Sequence, residues 1–179
     1  MITDRIELAK HFASLGFTKG AEIGVADGRY SKILCETIPS LKLIGVDVWA
    51  KYDGNWRSDE YQDHAYQQAK QKLLEFDVEL VRDSSLKASI NVPDGSLDFV
   101  FIDGSHTFDN VMLDILLWTP KVKKGGIVSG HDYYQFNDSG ITEAVNAYVE
   151  KHKIDLNLTL AGVAEHKDDQ CPCWWFTKK

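Results

Sequence analysis

The chain has 179 residues, 44% hydrophobic and 26% charged, the make-up of one soluble globular domain rather than of a disordered chain. At this length it hides roughly 70% of its unfolded surface, so one core is enough and a second, separate domain is not expected. Twenty Lys and Arg against 27 Asp and Glu leave a net charge of −7, a field that repels a phosphate backbone, so no nucleic-acid partner is expected.

The lysines of the Lys121–Lys124 run read as a solvated loop. Three cysteines, Cys35, Cys171 and Cys173, do not make a disulfide framework and point to a reducing cytoplasm. The N-terminus does not resemble a signal peptide, and no stretch approaches the ~20 apolar residues of a membrane span, so no membrane association is expected.

In chain order, Arg5–Leu15 has helical spacing, and Gly16 and Gly20 bracket its end. Ala21–Val25 is a short apolar run, and helical pattern follows from Tyr30 to Ile38. Leu41–Val46 is a second run, and Ser58 or Asp59 caps a helix predicted to reach Glu75. Val78–Val81 and Leu97–Ile102 are the third and fourth runs. Phe108–Trp118 is helical and stops at Pro120; Gly126–Ser129 is the fifth run; Ile141–His152 is helical again. Two final strand-like runs, Leu156–Val163 and Cys173–Phe176, lack a helix between them and form an antiparallel hairpin. The pattern predicts one α/β domain over residues 1–179: an N-terminal helix (1–19), five βα units (20–152) and a terminal hairpin (153–179). Its seven strands form a doubly wound, mostly parallel sheet, in which ligands lie beyond the carboxyl ends of the strands.

The chemistry is therefore sought after each run. Glu22-Ile23-Gly24-Val25-Ala26-Asp27-Gly28 is a turn that lets backbone approach a ligand, and the helix start behind it offers free N–H groups. Asp47, with Val48 beside it, follows the second run about twenty residues on, where a carboxylate accepts from vicinal ribose hydroxyls. This pair serves nicotinamide cofactors and S-adenosylmethionine alike. Asp83 and Ser84 follow the third run and either meet an adenine amino group or cap the next helix.

Asp103-Gly104-Ser105-His106 and Gly130-His131-Asp132-Tyr133 follow the fourth and fifth runs. Two carboxylates and two imidazoles at neighbouring strand ends can hold a divalent cation or supply a general base. Cys171-x-Cys173 has the alternation of a strand and no second Cys pair, so it does not read as a metal site. Trp49, Tyr52, Trp56, Tyr61 and Tyr66 form either a substrate wall or a loop leading into a helix. Asp109 and Asp114 read as solvated or capping groups on a helix.

The blocks Phe101–Phe108 and Pro120–Tyr133, with the helix through Asp114 and Trp118, resemble class I S-adenosylmethionine-dependent methyltransferases, in particular small-molecule O-methyltransferases of the macrocin and cephalosporin-pathway type. The resemblance spans Glu22 to the terminal hairpin and implies a Rossmann-like fold. It implies cofactor contacts from Glu22, Gly24, Val25 and Gly28, a ribose-binding acid at Asp47 with Val48, adenine contacts at Asp83 and Ser84, and a further contact from Asp103. It also implies Mg²⁺ at Asp103 and Asp132 in metal-dependent members. Two departures stand out: Ala26 replaces the middle glycine of the loop, and His131 replaces an acid. Imidazole prefers softer ions than Mg²⁺, so Mn²⁺ held by Asp103, Asp132 and His131, or no metal at all, is the alternative.

The reading is a methyl transfer from S-adenosylmethionine to an oxygen of a small-molecule acceptor, of sugar or natural-product type, with Asp103, His106 and His131 as the catalytic set. A nicotinamide-dependent oxidoreductase would use the same glycine loop and Asp47; its Tyr-x-x-x-Lys spacing occurs at Tyr66 and Lys70, too early in the chain for that chemistry. A cofactor-binding module without catalysis is the other alternative. A chain with little beyond the core fold favours a homodimer over a monomer.

Overall fold

The computed structural model describes residues 2–51, 57–135, 139–162 and 170–179. Its elements in chain order are α1 (Arg5–Ser14), β1 (Lys19–Ile23), α2 (Arg29–Thr37), β2 (Lys42–Asp47), α3 (Asp59–Leu73), β3 (Val78–Arg82), α4 (Ser85–Ile90), β4 (Leu97–Ile102), α5 (Phe108–Trp118), β5 (Val122–Gly130), α6 (Ile141–His152), β6 (Asn157–Leu158) and β7 (Trp174–Thr177). A single 3-10 turn, Thr119–Lys121, joins α5 to β5 around Pro120.

The strands form one seven-stranded sheet in the order β3-β2-β1-β4-β5-β7-β6. β1 to β5 pair in parallel, and β7 pairs antiparallel with β5 on one side and β6 on the other. The order reverses between β1 and β4, which opens a crevice at their carboxyl ends. Every residue of β4 is buried, as befits a central strand covered on both faces.

Two cores flank the sheet. On one face α4, α5 and α6 pack Ala88, Ile115, Trp118, Val145 and Tyr148 against Val100, Val128 and Trp174. On the other, α1 and α2 pack Leu8, Phe12 and Leu34 against Phe99 and Phe101, with the Phe12 and Phe99 rings 4.4 Å apart. A third cluster seats α3 on the loops after β1 and β2, through Val25, Trp49, Ala65 and Ala69. Caps explain where helices begin: Asp4 accepts from the Ile6 and Glu7 N–H groups, and Ser58 and Ser84 accept from Tyr61 and Lys87.

The final hairpin is shorter than the sequence pattern predicts. β7 takes the inner position beside β5, leaving β6 at the edge with two exposed residues instead of the run Leu156–Val163. Short edge strands limit unwanted pairing. Val163, most of the link after it, Tyr52 and Trp56 lie outside the described residues. β5 runs longer than predicted, and β1 ends two residues earlier, at Ile23, so the glycine loop starts sooner.

Candidate active site

The strand ends at the switch point are stitched together by backbone. Gly24 N donates to Val46 O at 2.8 Å, and Asp103 N donates to Ile23 O at 2.7 Å. Gly24 has φ +93°, and a Cβ there would lie 2.1 Å from the Asp103 carbonyl oxygen and 2.7 Å from Gly104 Cα. Its glycine is thus required by the neighbouring strand's backbone, a different reason from close approach to a ligand. Ala26, with φ +50°, occupies the left-handed region that favours glycine. It is held there on both sides: Ala26 N donates to Asp47 Oδ2 at 2.9 Å, and Trp49 Nε1 donates to Ala26 O at 2.7 Å. Asp47 Oδ1 accepts from Trp49 N at 3.0 Å, so this carboxylate clamps two loops while its remaining lone pairs face outward.

A cavity of about 470 Å³ opens over these loops. Gly24, Ala26, Asp47 and Val48 line one side, Asp83, Ser84 and Ser85 another, and Asp103, Gly104 and Ser105 the far end. Its size suits a nucleoside-bearing ligand. Asp83 accepts from Ser84 N at 2.7 Å, which holds its carboxyl below the ordinary carboxylate value.

Three expected cofactor residues do not line the cavity. The Glu22 carboxylate is buried behind the sheet end and accepts from the Ser31 hydroxyl; burial pushes its pKa up to about 8, so it is a neutral acid at pH 7. Val25 is buried against α3, and Gly28 abuts it, with Ala69 Cα 3.0 Å from its would-be Cβ. A strand's alternation marks such residues as special without saying which face they serve. The aromatic segment divides likewise: Trp49 is fully buried against Tyr66, a wall behind the loop, while Tyr61 is exposed.

Two groups at the site escaped the sequence reading. Asp114 is 6% exposed, lines the cavity and accepts from the Ser85 hydroxyl, contrary to the solvated role expected of it; Asp109 is exposed as expected. Burial pushes Asp114 up to about 6. Its α5 position on the apolar stripe, three residues after Val111 and four before Trp118, was the signal available. Arg5, 6% exposed on α1, lies 3.6 Å from Asp103 Oδ2 and over the Tyr30 ring. Sequence gives no sign of it, because an Arg at the first position of a helix reads as an exposed charge.

Beyond Asp103 the cavity meets the acidic and imidazole side chains of the β4 and β5 ends. Those strands are neighbours, and Asp103, His106, His131 and Asp132 come together. Asp132, at φ +54°, is the hub: it faces His131 Nδ1 at 3.0 Å and His106 Nε2 at 3.2 Å. His131 Nδ1 is 3.9 Å from Asp103, near enough for charge but not for a hydrogen bond. Burial opposes the charge on Asp132, but the His131 hydrogen bond wins and holds it below the ordinary value. Burial raises Asp103. For His131, burial works downward, and the hydrogen bond to Asp132 with the Asp103 charge outweighs it, so its pKa is raised. His131 Nε2 is buried without a partner among the described residues and borders a void of about 10 Å³, room for about one water.

Asp103, His131 and Asp132 offer ligand atoms all within 4.8 Å of one another, a spacing that one cation can bridge. The donor set of two carboxylates and an imidazole suits Mn²⁺ better than Mg²⁺. Arg5 already places a positive charge on Asp103, which lowers the attraction for any ion there.

Residues 21–133 match the sequence profile of a family described as a methyltransferase domain. No match was found among curated proteins. Solved structures with the same fold include an O-methyltransferase from Bacillus cereus in complex with SAH (S-adenosylhomocysteine), with TM-score 0.72 and 12% identity over 97% of this chain and 80% of that one. The O-methyltransferase TomG from Streptomyces achromogenes, involved in tomaymycin synthesis and in complex with SAM (S-adenosylmethionine), superposes with TM-score 0.69 at 14% identity, over 98% and 80% of the two chains. A precorrin-6y C5,15-methyltransferase from Geobacter metallireducens gives 0.68 at 17%, over 97% and 87%.

Proposed function

The chain belongs to this methyltransferase-domain family and is a class I SAM-dependent methyltransferase, and from that premise we propose that it methylates a hydroxyl oxygen of a small molecule, of sugar or natural-product type. The observation that carries the reading is the continuity of the site: Asp103, Gly104 and Ser105 border both the large cavity and the void beside His131. A cofactor filling the cavity from Asp83 and Asp47 would bring its methyl group to the carboxylate and imidazole cluster.

In this reading Asp47 accepts from the ribose hydroxyls, Asp83 and Ser84 flank the base, and the backbone at Gly24 and Ala26 follows the methionine part. The acceptor oxygen attacks the methyl carbon as the C–S bond breaks, so oxygen, carbon and sulfur must lie in one line, which is a matter of positioning. The acceptor's proton goes to an imidazole, His131 or His106, whose charge Asp132 and Asp103 then stabilise. A divalent ion, Mn²⁺ or Mg²⁺, would be held by Asp103, Asp132 and His131 and would lower the pKa of the acceptor hydroxyl.

The nicotinamide alternative loses its ground with the family assignment. No helix among the described residues is long and apolar enough to cross a membrane. The three cysteines are unpaired, which supports a cytoplasmic setting, and a homodimer is the assembly we expect; light scattering tests it. The deciding experiment is a thermal shift with SAH and with NAD at equal concentration, followed by turnover of SAM to SAH with an acceptor library. SAH alone should stabilise the protein, by mass action. Stabilisation by NAD and not by SAH, or binding without turnover on any hydroxyl acceptor, would overturn the reading. EDTA should abolish turnover, and Mn²⁺ restore it, if an ion is used; indifference to EDTA leaves the imidazoles as the base.

A further inference from the structure

The base-binding side of the cavity contains a buried acid that the reaction does not use. Asp114 on α5 is fixed in place by its neighbours: Oδ1 accepts from Ser85 Oγ, which itself accepts from Trp118 Nε1 at 2.7 Å. Oδ2 accepts no hydrogen bond among the described residues, and it lies 3.9 Å from the would-be Cβ of Gly104, another cavity-lining residue. Leu86 and Leu113, 49% and 41% exposed, also line the cavity. Two exposed leucines beside a cavity offer apolar surface to a flat ring, and a carboxylate oxygen that accepts nothing from the described residues is free to accept from a ligand in the cavity.

We propose that Asp114 Oδ2 accepts an N–H of the exocyclic amino group of the cofactor's adenine, and so makes the cavity selective for adenine over a 6-oxo purine. The proposal rests on the SAM reading above and adds the group that discriminates the base. pH 8 lies above the value of about 6 to which burial raises this carboxyl, so it is ionised and can only accept. The amino group donates and matches it. A 6-oxo group has only lone pairs to present at that position and would face the carboxylate with repulsion. Asp83 also borders this side, but it is partly exposed and already accepts from Ser84 N, so it discriminates less.

Asp114→Asn separates reading from scaffolding. The amide oxygen can keep the Ser85 hydrogen bond, while Nδ2 turns an acceptor into a donor toward the cavity. Calorimetry at pH 8 compares SAH with its deaminated analogue, S-inosylhomocysteine. The wild type should prefer SAH by about ten- to a hundredfold, the worth of a charge-assisted hydrogen bond. Asp114→Asn should erase or invert that preference with little change in the melting temperature of the unliganded protein. Asp83→Asn should leave most of the preference intact. An unchanged preference in a folded Asp114→Asn protein overturns the proposal, as does a wild type that binds both ligands equally, whether or not the variant folds. A wild type that binds neither ligand instead overturns the SAM reading, and this proposal with it.

Discussion

The two ends of the cavity use the same residue type, a carboxylate at a strand end, but hold it by different means. At the end assigned to the nucleoside, backbone N–H groups are the first partners: Ala26 and Trp49 donate to Asp47, and Ser84 donates to Asp83, with the exposed Lys87 ammonium farther off at 3.4 Å. At the transfer end the partners are side chains: Arg5 faces Asp103, and His131 and His106 face Asp132. Backbone donors do not titrate, whereas imidazoles change charge near neutral pH. In the proposed mechanism the first end would act as a fixed mould and the second would handle the proton. Cofactor affinity should stay nearly flat from pH 7 to 9 while kcat changes.

The largest effect is expected from breaking the transfer end alone. His131→Ala should lower kcat by about 10²–10⁴-fold, as for a lost general base, and leave SAH affinity within about twofold. The base must be neutral to act, and its pKa is raised above the ordinary histidine value, so wild-type kcat should climb as pH rises through that raised pKa. A wild-type kcat that is flat from pH 6 to 9 would remove the imidazole from the chemistry.

Gly24→Val should damage both ends at once, because its side chain would strike the Asp103–Gly104 backbone that joins them. A positive φ and a blocked Cβ together should cost about 3 kcal/mol or more, read from urea unfolding. A loss under about 1 kcal/mol would mean that the loop yields easily and the stitching is weak.

Asp47→Ala tests the mould. It removes the acceptor offered to the ligand and also strands two backbone donors, so SAH affinity should fall about thirty- to a hundredfold, or ~2–3 kcal/mol. Turnover at saturating SAM should largely survive, since Asp47 is remote from the transfer end. A collapse of kcat with unchanged affinity would reverse the assignment of the two ends.

The smallest effect sharpens the comparison from behind the sheet. The folded-state pKa of Glu22, about 8, lies above its ordinary 4.5, so between these values the native state holds a proton that the unfolded chain has lost. Stability from this group is present at acid pH and declines as pH rises toward 8. Glu22→Gln should therefore gain on the wild type by up to ~1.4 kcal/mol per pH unit across that window. Parallel stability curves from pH 5 to 8 would show that Glu22 is ionised in the native protein.

Hydrophobic periodicity makes much of this legible without coordinates. The stretches Leu97–Ile102, Phe108–Trp118 and Ile141–His152 coincide with β4, α5 and α6, because each carries an unbroken burial pattern bounded by a turn, a cap or a proline. α4 is less visible: six residues behind a Ser cap make too little of a helical period to read. The β6 run is misleading, since apolar alternation does not reveal that an inner strand will take the paired position beside β5.

What the sequence determined by itself is the α/β order and which polar side chains stand at the strand ends: Asp47, Asp83, Asp103, His106, His131 and Asp132 are singled out by the rule that ligands gather where parallel strands finish. What the tertiary structure decided is who faces whom. It brings Arg5 from the first helix to Asp103, sinks Asp114 beside Ser85, turns Glu22 away from the cavity and explains Gly24 by the strand next to it. Local pattern reports only which face of an element is apolar, whereas the charge state and role of a buried group depend on partners that other segments deliver to it.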